Sequence, residues 1–256
     1  MASAPATGMP VRTSSSRRHT FGAKGEFQQT RKEALGSGSF ASVYEGVNVD
    51  SGMLVAIKKV SWEKLERKEP RFIQKHKLQL RNEIEAMKAL NHENVVRLIH
   101  HQNSPKYFIM ILEFCAGGDL AGALRKRKDT LGEQDAPLPE ALALTLSHQL
   151  SEGLKQMRAL DWVHRDLKPG NLLLTAGPLE TAVLKIADFG FAKSLAPIDL
   201  AQTWVGSPLY MAPEILFKEA GGYDGKADLW SVGCIVFEMV TGRQPYGSGA
   251  RDLEEV

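Results

Sequence analysis

From Arg31 onward the chain alternates apolar and polar positions in the manner of β-strands, over Lys32–Leu35, Ser42–Val47 and Leu54–Val60. The segments are separated by a glycine-rich turn and by Asp50-Ser51-Gly52. This pattern predicts a β-meander. Between residues 71 and 90 the period lengthens to about 3.6, with Ile73, Leu78, Leu80, Ile84, Met87 and Leu90 apolar and helix formers between them. Two further strands are expected near Val95–His100 and Tyr107–Phe114. After Gly117-Gly118 the pattern becomes mainly helical. It predicts a short helix from Asp119, a polar loop over 128–138, a long helix from Pro139 to about Leu160, and a buried helix over Asp228–Thr241. A loop between Thr175 and Thr181 splits a hairpin that leads into Asp188. The order predicts an α+β chain: a first lobe over 29–116 with a five-stranded antiparallel sheet and one helix, and a mostly helical second lobe over 117–256.

Upstream, the first 25 residues hold Arg12, Arg17, Arg18 and Lys24, the run Ser14-Ser15-Ser16 and no acidic residue. Residues 1–28 are therefore expected to be a disordered basic tail, a composition shared with organelle transit peptides. A net charge of +2 gives no argument for nucleic acid, and Arg125-Lys126-Arg127-Lys128 reads as a solvated helix end. Cys115 and Cys234 sit in apolar segments without metal-ligand spacing, which predicts a reduced, cytoplasmic setting and no nucleophilic thiol. The apolar stretch Leu229–Val240 carries Glu238 and falls short of the ~20 residues of a membrane span.

Chemistry enters with Leu35 and the segment Gly36-Ser37-Gly38-Ser39-Phe40-Ala41-Ser42-Val43, whose glycines let backbone amides approach phosphate oxygens. The segment leads into a strand and not a helix, which argues against a dinucleotide fingerprint. Lys58, in Val55-Ala56-Ile57-Lys58, can reach phosphates as a point charge and needs a counter-charge if half-buried. Glu83 is the expected partner, because it shares a helical face with Leu80, Met87 and Leu90, whereas Glu85 projects away. Leu112-Glu113-Phe114-Cys115 is the expected adenine hinge, with backbone groups at Glu113 and Cys115 and with Val43, Ala56 and Leu173 around the ring; Asp119 is placed for the ribose. His164-Arg165-Asp166-Leu167-Lys168-Pro169-Gly170-Asn171, followed by Asp188-Phe189-Gly190 and Ala212-Pro213-Glu214, completes the set. Asp166 would take the proton of an acceptor hydroxyl, Lys168 would contact the transferring phosphoryl group, and Asn171 and Asp188 offer hard oxygen donors to magnesium.

From about residue 30 to 256 these motifs resemble the eukaryotic protein kinases, which implies a bilobal fold, ATP and Mg2+, and protein substrates. Lys168 and Gly206-Ser207-Pro208-Leu209-Tyr210 resemble the serine/threonine branch. Cys115-Ala116-Gly117-Gly118-Asp119-Leu120, Ile186–Ala192 and Tyr223–Ser231 are most similar to the ULK-type kinases that initiate autophagy. The resemblance implies a phosphorylation switch at Thr203 paired by Arg165 and Lys193, and a peptide-binding segment at Gly206, Ser207 and Pro208. It also implies a serine preference from Phe191, weak dependence on substrate arginine from Gly170, and regulatory protein partners. A column of Leu98, Met87, Phe189 and His164, anchored by Asp228, is expected to join the lobes. The family fold continues for three helices past the position of Val256, so the second lobe is expected to lack its last helices, Glu214 its arginine, and Ile235 or Phe237 their cover. A truncated, catalytically weak fragment that binds nucleotide or competes for partners is the alternative function.

Overall fold

The computed structural model describes residues 19–194, 208–216 and 225–246. Its first lobe is built on a seven-stranded antiparallel sheet: β1 (Thr20–Phe21), β2 (Phe27–Gln29), β3 (Gly36–Ser37), β4 (Ala41–Asn48), β5 (Leu54–Ser61), β6 (Leu98–Asn103) and β7 (Tyr107–Glu113). The spatial order is β1-β2-β4-β5-β7-β6, and β3 pairs with β4. The sheet thus differs from the five strands expected in two ways. Residues 19–28, read from composition as tail, supply β1 and β2, because Phe21 and Phe27 bury themselves with Val55, Ile57, Ile109 and Ile111 in a separate apolar cluster. The segment Lys32–Leu35 is not a strand. The chain meets β4 only intermittently there, through Thr30 N–H to the Glu45 carbonyl (3.0 Å) and Leu35 N–H to the Val43 carbonyl (2.8 Å).

Two helices, not one, belong to this lobe: α1 (Trp62–Glu66), capped by the Ser61 hydroxyl, and α2 (Pro70–Ala89). Proline at the first turn of α2 costs no hydrogen bond, since that N–H has no helical acceptor. Only Glu83, Ile84, Ala86 and Met87 of α2 are buried, so the helix is gripped in its C-terminal half.

The second lobe begins at α3 (Leu120–Leu131), whose first turn is capped by Asp119 accepting from Gly122 N–H at 2.8 Å. Helix α4 (Glu140–Ala159) buries Leu142, Leu146, Leu150, Gly153 and Met157 on one stripe. At Gly153 a Cβ would lie 2.9 Å from the Asn94 carbonyl and 2.8 Å from Ile186, so glycine permits the close packing there. The short strands β8 (Trp162–Val163), β9 (Leu172–Leu174), β10 (Leu184–Ile186) and β11 (Lys193–Ser194) pair as β9–β10 and β8–β11. Helices α5 (Pro213–Leu216) and α6 (Lys226–Thr241) follow. Ile235, expected to be exposed, packs fully into the core with Cys234 and Met239, while Phe237 stands on an exposed face with Leu229, Trp230 and Val240. No helix among the described residues is long and apolar enough to cross a membrane.

Candidate active site between the lobes

Lys58 and Ala56 alternate with the buried Val55 and Ile57 along β5, so the pleat carries them on the opposite face of the sheet. The Lys58 ammonium lies 2.6 Å from Glu83 Oε1 and 3.1 Å from Asp188 Oδ1. Burial alone would favour loss of its proton, but Asp188 and then Glu83 more than offset that and hold its pKa above the usual lysine value. Burial pushes the Glu83 carboxyl up, with Lys58 opposing. Asp188 goes the other way, lowered first by the Lys58 charge against the effect of burial, and it stays ionised. Glu85, the rival partner, is exposed.

Asp188 adopts φ 63°, a left-handed conformation that non-glycine residues rarely take. The next residue, Phe189, is completely buried and meets the edge of His164 with ring centroids 5.3 Å apart. Met87 is buried in the same core, and Leu98 packs against that core. The expected anchor is Asp228: the buried carboxylate accepts from His164 N–H at 2.8 Å and Arg165 N–H at 2.9 Å. Arg165 also sits at positive φ, 73°. The His164 ring bridges the two motifs, with Nε2 donating to the Ala187 carbonyl (3.0 Å) and Nδ1 accepting from Asp166 N–H (3.3 Å).

Asp166 is 5% exposed and held locally. Lys168 Nζ lies 2.9 Å from its Oδ2, and Asn171 Nδ2 donates to the same oxygen at 3.0 Å and to the Asp166 carbonyl at 2.7 Å. The short 3-10 turn Pro169–Asn171 makes this possible, by returning the chain onto Asp166 within one turn. With its amide nitrogen so engaged, the Asn171 side chain offers only its carbonyl oxygen to a cation. A carboxylate at Asp188 and an amide oxygen at Asn171 fit magnesium, which keeps several waters and takes few protein ligands.

The glycine-rich loop is closed by Gly38 N–H donating to the Ala41 carbonyl at 2.8 Å. A Cβ on Gly36 would meet nothing within 4 Å, and one on Gly38 would meet only the Ala41 carbonyl at 3.9 Å. The fold therefore does not itself demand glycine at either place, unlike Gly46, where a Cβ would come within 2.4 Å of Ile57. Ser37 and Ser39 are exposed on the loop, and Leu35 precedes it half-exposed. Phe40, expected at the nucleotide, instead packs its ring against Phe72 and His76 of α2.

Val43, Ala56, Leu112 and Leu173 are all half-buried, as the walls of an open slot would be. Two hinge groups have partners of their own. Glu113 N–H is already donated to the Arg97 carbonyl at 3.0 Å, which leaves its carbonyl as the group for a purine. The Asp119 carboxylate caps α3, so a ribose would share it with Gly122. One clamp was missed. Lys185 Nζ reaches Glu113 Oε1 (3.0 Å) and the Glu93 carbonyl (2.6 Å), tying the hinge to β10. A lone lysine within Val183-Leu184-Lys185-Ile186 was the signal, since a charge on a buried strand requires a partner. Thr203, Gly206 and Ser207 lie outside the described residues, as does the Lys193 side chain; Pro208 opens a 3-10 turn through Tyr210. Tyr210 donates to Glu238 Oε2 at 2.6 Å and fastens this turn to α6.

The sequence pattern of the family described as "Protein kinase domain" matches residues 29–255. Among curated proteins, the chain is similar to the serine/threonine-protein kinase ATG1b of Arabidopsis thaliana, 45% identical over 212 residues, 83% of this chain and 27% of that protein. It is also similar to the serine/threonine-protein kinases atg1 of Penicillium rubens (41% over 257 residues; 85% of this chain and 26% of that protein) and Dictyostelium discoideum (43% over 219 residues; 84% and 30%). The chain thus spans between a quarter and a third of the length of these relatives. The match over both lobes, together with the Lys58–Glu83 pair and the anchored His164–Asn171 segment, establishes that this chain belongs to the protein kinase family.

Proposed function

We propose that this chain transfers the γ-phosphoryl group of ATP to serine and threonine hydroxyls of protein substrates. The observation that carries the reading is the joint geometry of Lys58 on Glu83 and Asp188, with Asp166 buried and oriented by Lys168 and Asn171 across the cleft. Asp166 accepts the proton as the acceptor oxygen bonds to phosphorus and the bond to the ADP oxygen breaks, so that ADP leaves. Lys58 holds the α- and β-phosphates, and Lys168 meets the charge on the transferring group. Asn171 and Asp188 would hold magnesium, which when bound supplies charge neutralisation on the β- and γ-phosphates. Adenine would lie between Val43, Ala56 and Leu173, on the Glu113 carbonyl and the Cys115 backbone, with Leu112 at the rear.

The likeness to ATG1 kinases supports a role in autophagy initiation, with regulatory protein partners and a cytoplasmic setting. Phe191 supports a serine preference and Gly170 a weak need for substrate arginine. Arg165 and Lys193 are the groups for a phosphate on Thr203, and Gly206, Ser207 and Pro208 for the substrate backbone.

The test is magnesium-dependent transfer of labelled phosphate from ATP to a serine peptide, with Asp166→Asn as control. Transfer that falls by about 10²- to 10⁴-fold in the control is expected, with the thermal midpoint nearly unchanged. Absence of transfer in the wild-type chain, with a melting shift on Mg-ATP, would overturn the catalytic reading and leave nucleotide binding alone.

A further inference from the structure

Phe40 stands in the glycine-rich loop, yet its ring leaves the loop and enters an aromatic cluster on α2. It lies 5.4 Å from Phe72 and 5.1 Å from His76, edge-on to the latter. Phe72 and His76 are one helical turn apart and their rings lie 3.9 Å apart, while His76 Nδ1 contacts the Phe72 carbonyl at 3.0 Å and so fixes the ring's direction. The Phe40 backbone is tied as well, since its carbonyl accepts Ser61 N–H at 2.8 Å where β5 passes into α1.

The position of the cluster along α2 gives it consequence. Phe72, His76, Glu83 and Met87 recur at intervals of four, seven and four residues and therefore share one face of a helix of 3.6 residues per turn. A tilt or rotation of α2 that takes Phe72 and His76 off Phe40 also takes Glu83 off Lys58. The N-terminal half of the helix is held more loosely than its C-terminal half. Glu69, its N-cap residue, makes no side-chain cap bond, no acidic residue occupies the first turn, and none of residues 70–82 is fully buried. Lys77 of this half also lies over the Trp62 ring of α1, 5.7 Å from the centroid.

We propose that Phe72 and His76 are positioning residues for phosphoryl transfer. Through Phe40 they couple the closure of the glycine-rich loop over the phosphates to the setting of α2 that keeps Glu83 on Lys58. This deepens the kinase reading above and rests on it for its catalytic consequence, while the mechanical coupling stands on the cluster alone.

Two measurements test it. Hydrogen–deuterium exchange of Phe40→Ala should show the amides of residues 73–80 exchanging about threefold to tenfold faster, from the strength of an aromatic pair, with β6 and β7 unchanged. In kinetics, Phe40→Ala and Phe72→Ala should each lower kcat/KM for ATP by a similar factor. The double variant should lose no more than the worse single one, and Phe72→Tyr should retain the wild-type value. Phe72→Leu keeps apolar volume without a ring and replaces Phe72→Ala if the latter does not fold. Unchanged exchange over α2, or kinetic losses that multiply in the double variant, overturns the proposal. A wild-type chain that transfers no phosphate overturns the function proposed above but not the coupling, which the exchange measurement decides by itself.

Discussion

The two halves of the site are built on opposite plans. The Asp166 half is local: Asp166, Lys168 and Asn171 lie within six residues, and the buried Asp228 fixes the segment by taking two of its backbone N–H groups. The Lys58 half is distributed, joining β5, the middle of α2 and the turn after β10 across sequence separations of 25 and 130 residues. A local half is set once its anchor is in place. A distributed half is assembled only when three separate elements agree in position, and so it is the half that a conformational change can switch.

The sharpest way to break the contrast is to attack the local half at its anchor. Asp228→Ala leaves the His164 and Arg165 N–H groups buried without their acceptor, at about 1–3 kcal/mol each, a large share of a typical 5–15 kcal/mol stability. Thermal and urea unfolding should show a loss of about 2–6 kcal/mol, and activity should vanish with it, because Arg165 is no longer held at positive φ. A variant that folds as stably as wild type would mean that the segment is fixed by something other than Asp228.

The distributed half should answer differently, losing rate without losing stability. Glu83→Gln keeps a hydrogen-bond acceptor near Lys58 and leaves Asp188 as its remaining charge, so transfer should fall about tenfold to a hundredfold. Because burial raises the folded-state pKa of Glu83, its contribution to stability is fully present below the unfolded value and lost as pH rises through the folded one. The glutamine does not titrate. Melting measured at pH 4 and at pH 7 should therefore show the variant gaining relative to wild type at the higher pH. The opposite trend would mean that the Lys58 charge, and not burial, governs Glu83.

This division also explains what could be read in the sequence. Asp166, Lys168 and Asn171 were legible because they are one another's partners within six residues, and Glu83 was chosen over Glu85 because a helical face is a local property. Phe72 and His76 were not legible, since nothing in the spacing of α2 says which loop will meet its N-terminal turn. The strands β1 and β2 were hidden by a basic, serine-rich composition in which only Phe21 and Phe27 are large apolar side chains near the strands, and their burial depends on a sheet face built much later in the chain. The bond from the Glu113 amide to the Arg97 carbonyl was not legible either, because it depends on the register of β7 against the chain entering β6, which alternation does not fix.

A third tie, the Lys185–Glu113 clamp, belongs to neither half, and its small effect can be read at Cys115 next to it. Burial first, and the Glu113 charge second, push the Cys115 thiol up to about 11, with Lys185 opposing. At pH 8 its alkylation by iodoacetamide should therefore be slower than that of a free cysteine by roughly two orders of magnitude, since only the thiolate reacts. Glu113→Gln removes the lesser cause and leaves the greater one, so the thiol pKa should fall only part of the way to the ordinary value and the rate at pH 9 should rise by less than about tenfold. If the rate instead reaches that of free cysteine, burial has been lost too. The hinge would then have opened on loss of its tie to β10, and the clamp would be what holds the two lobes in register while α2 moves.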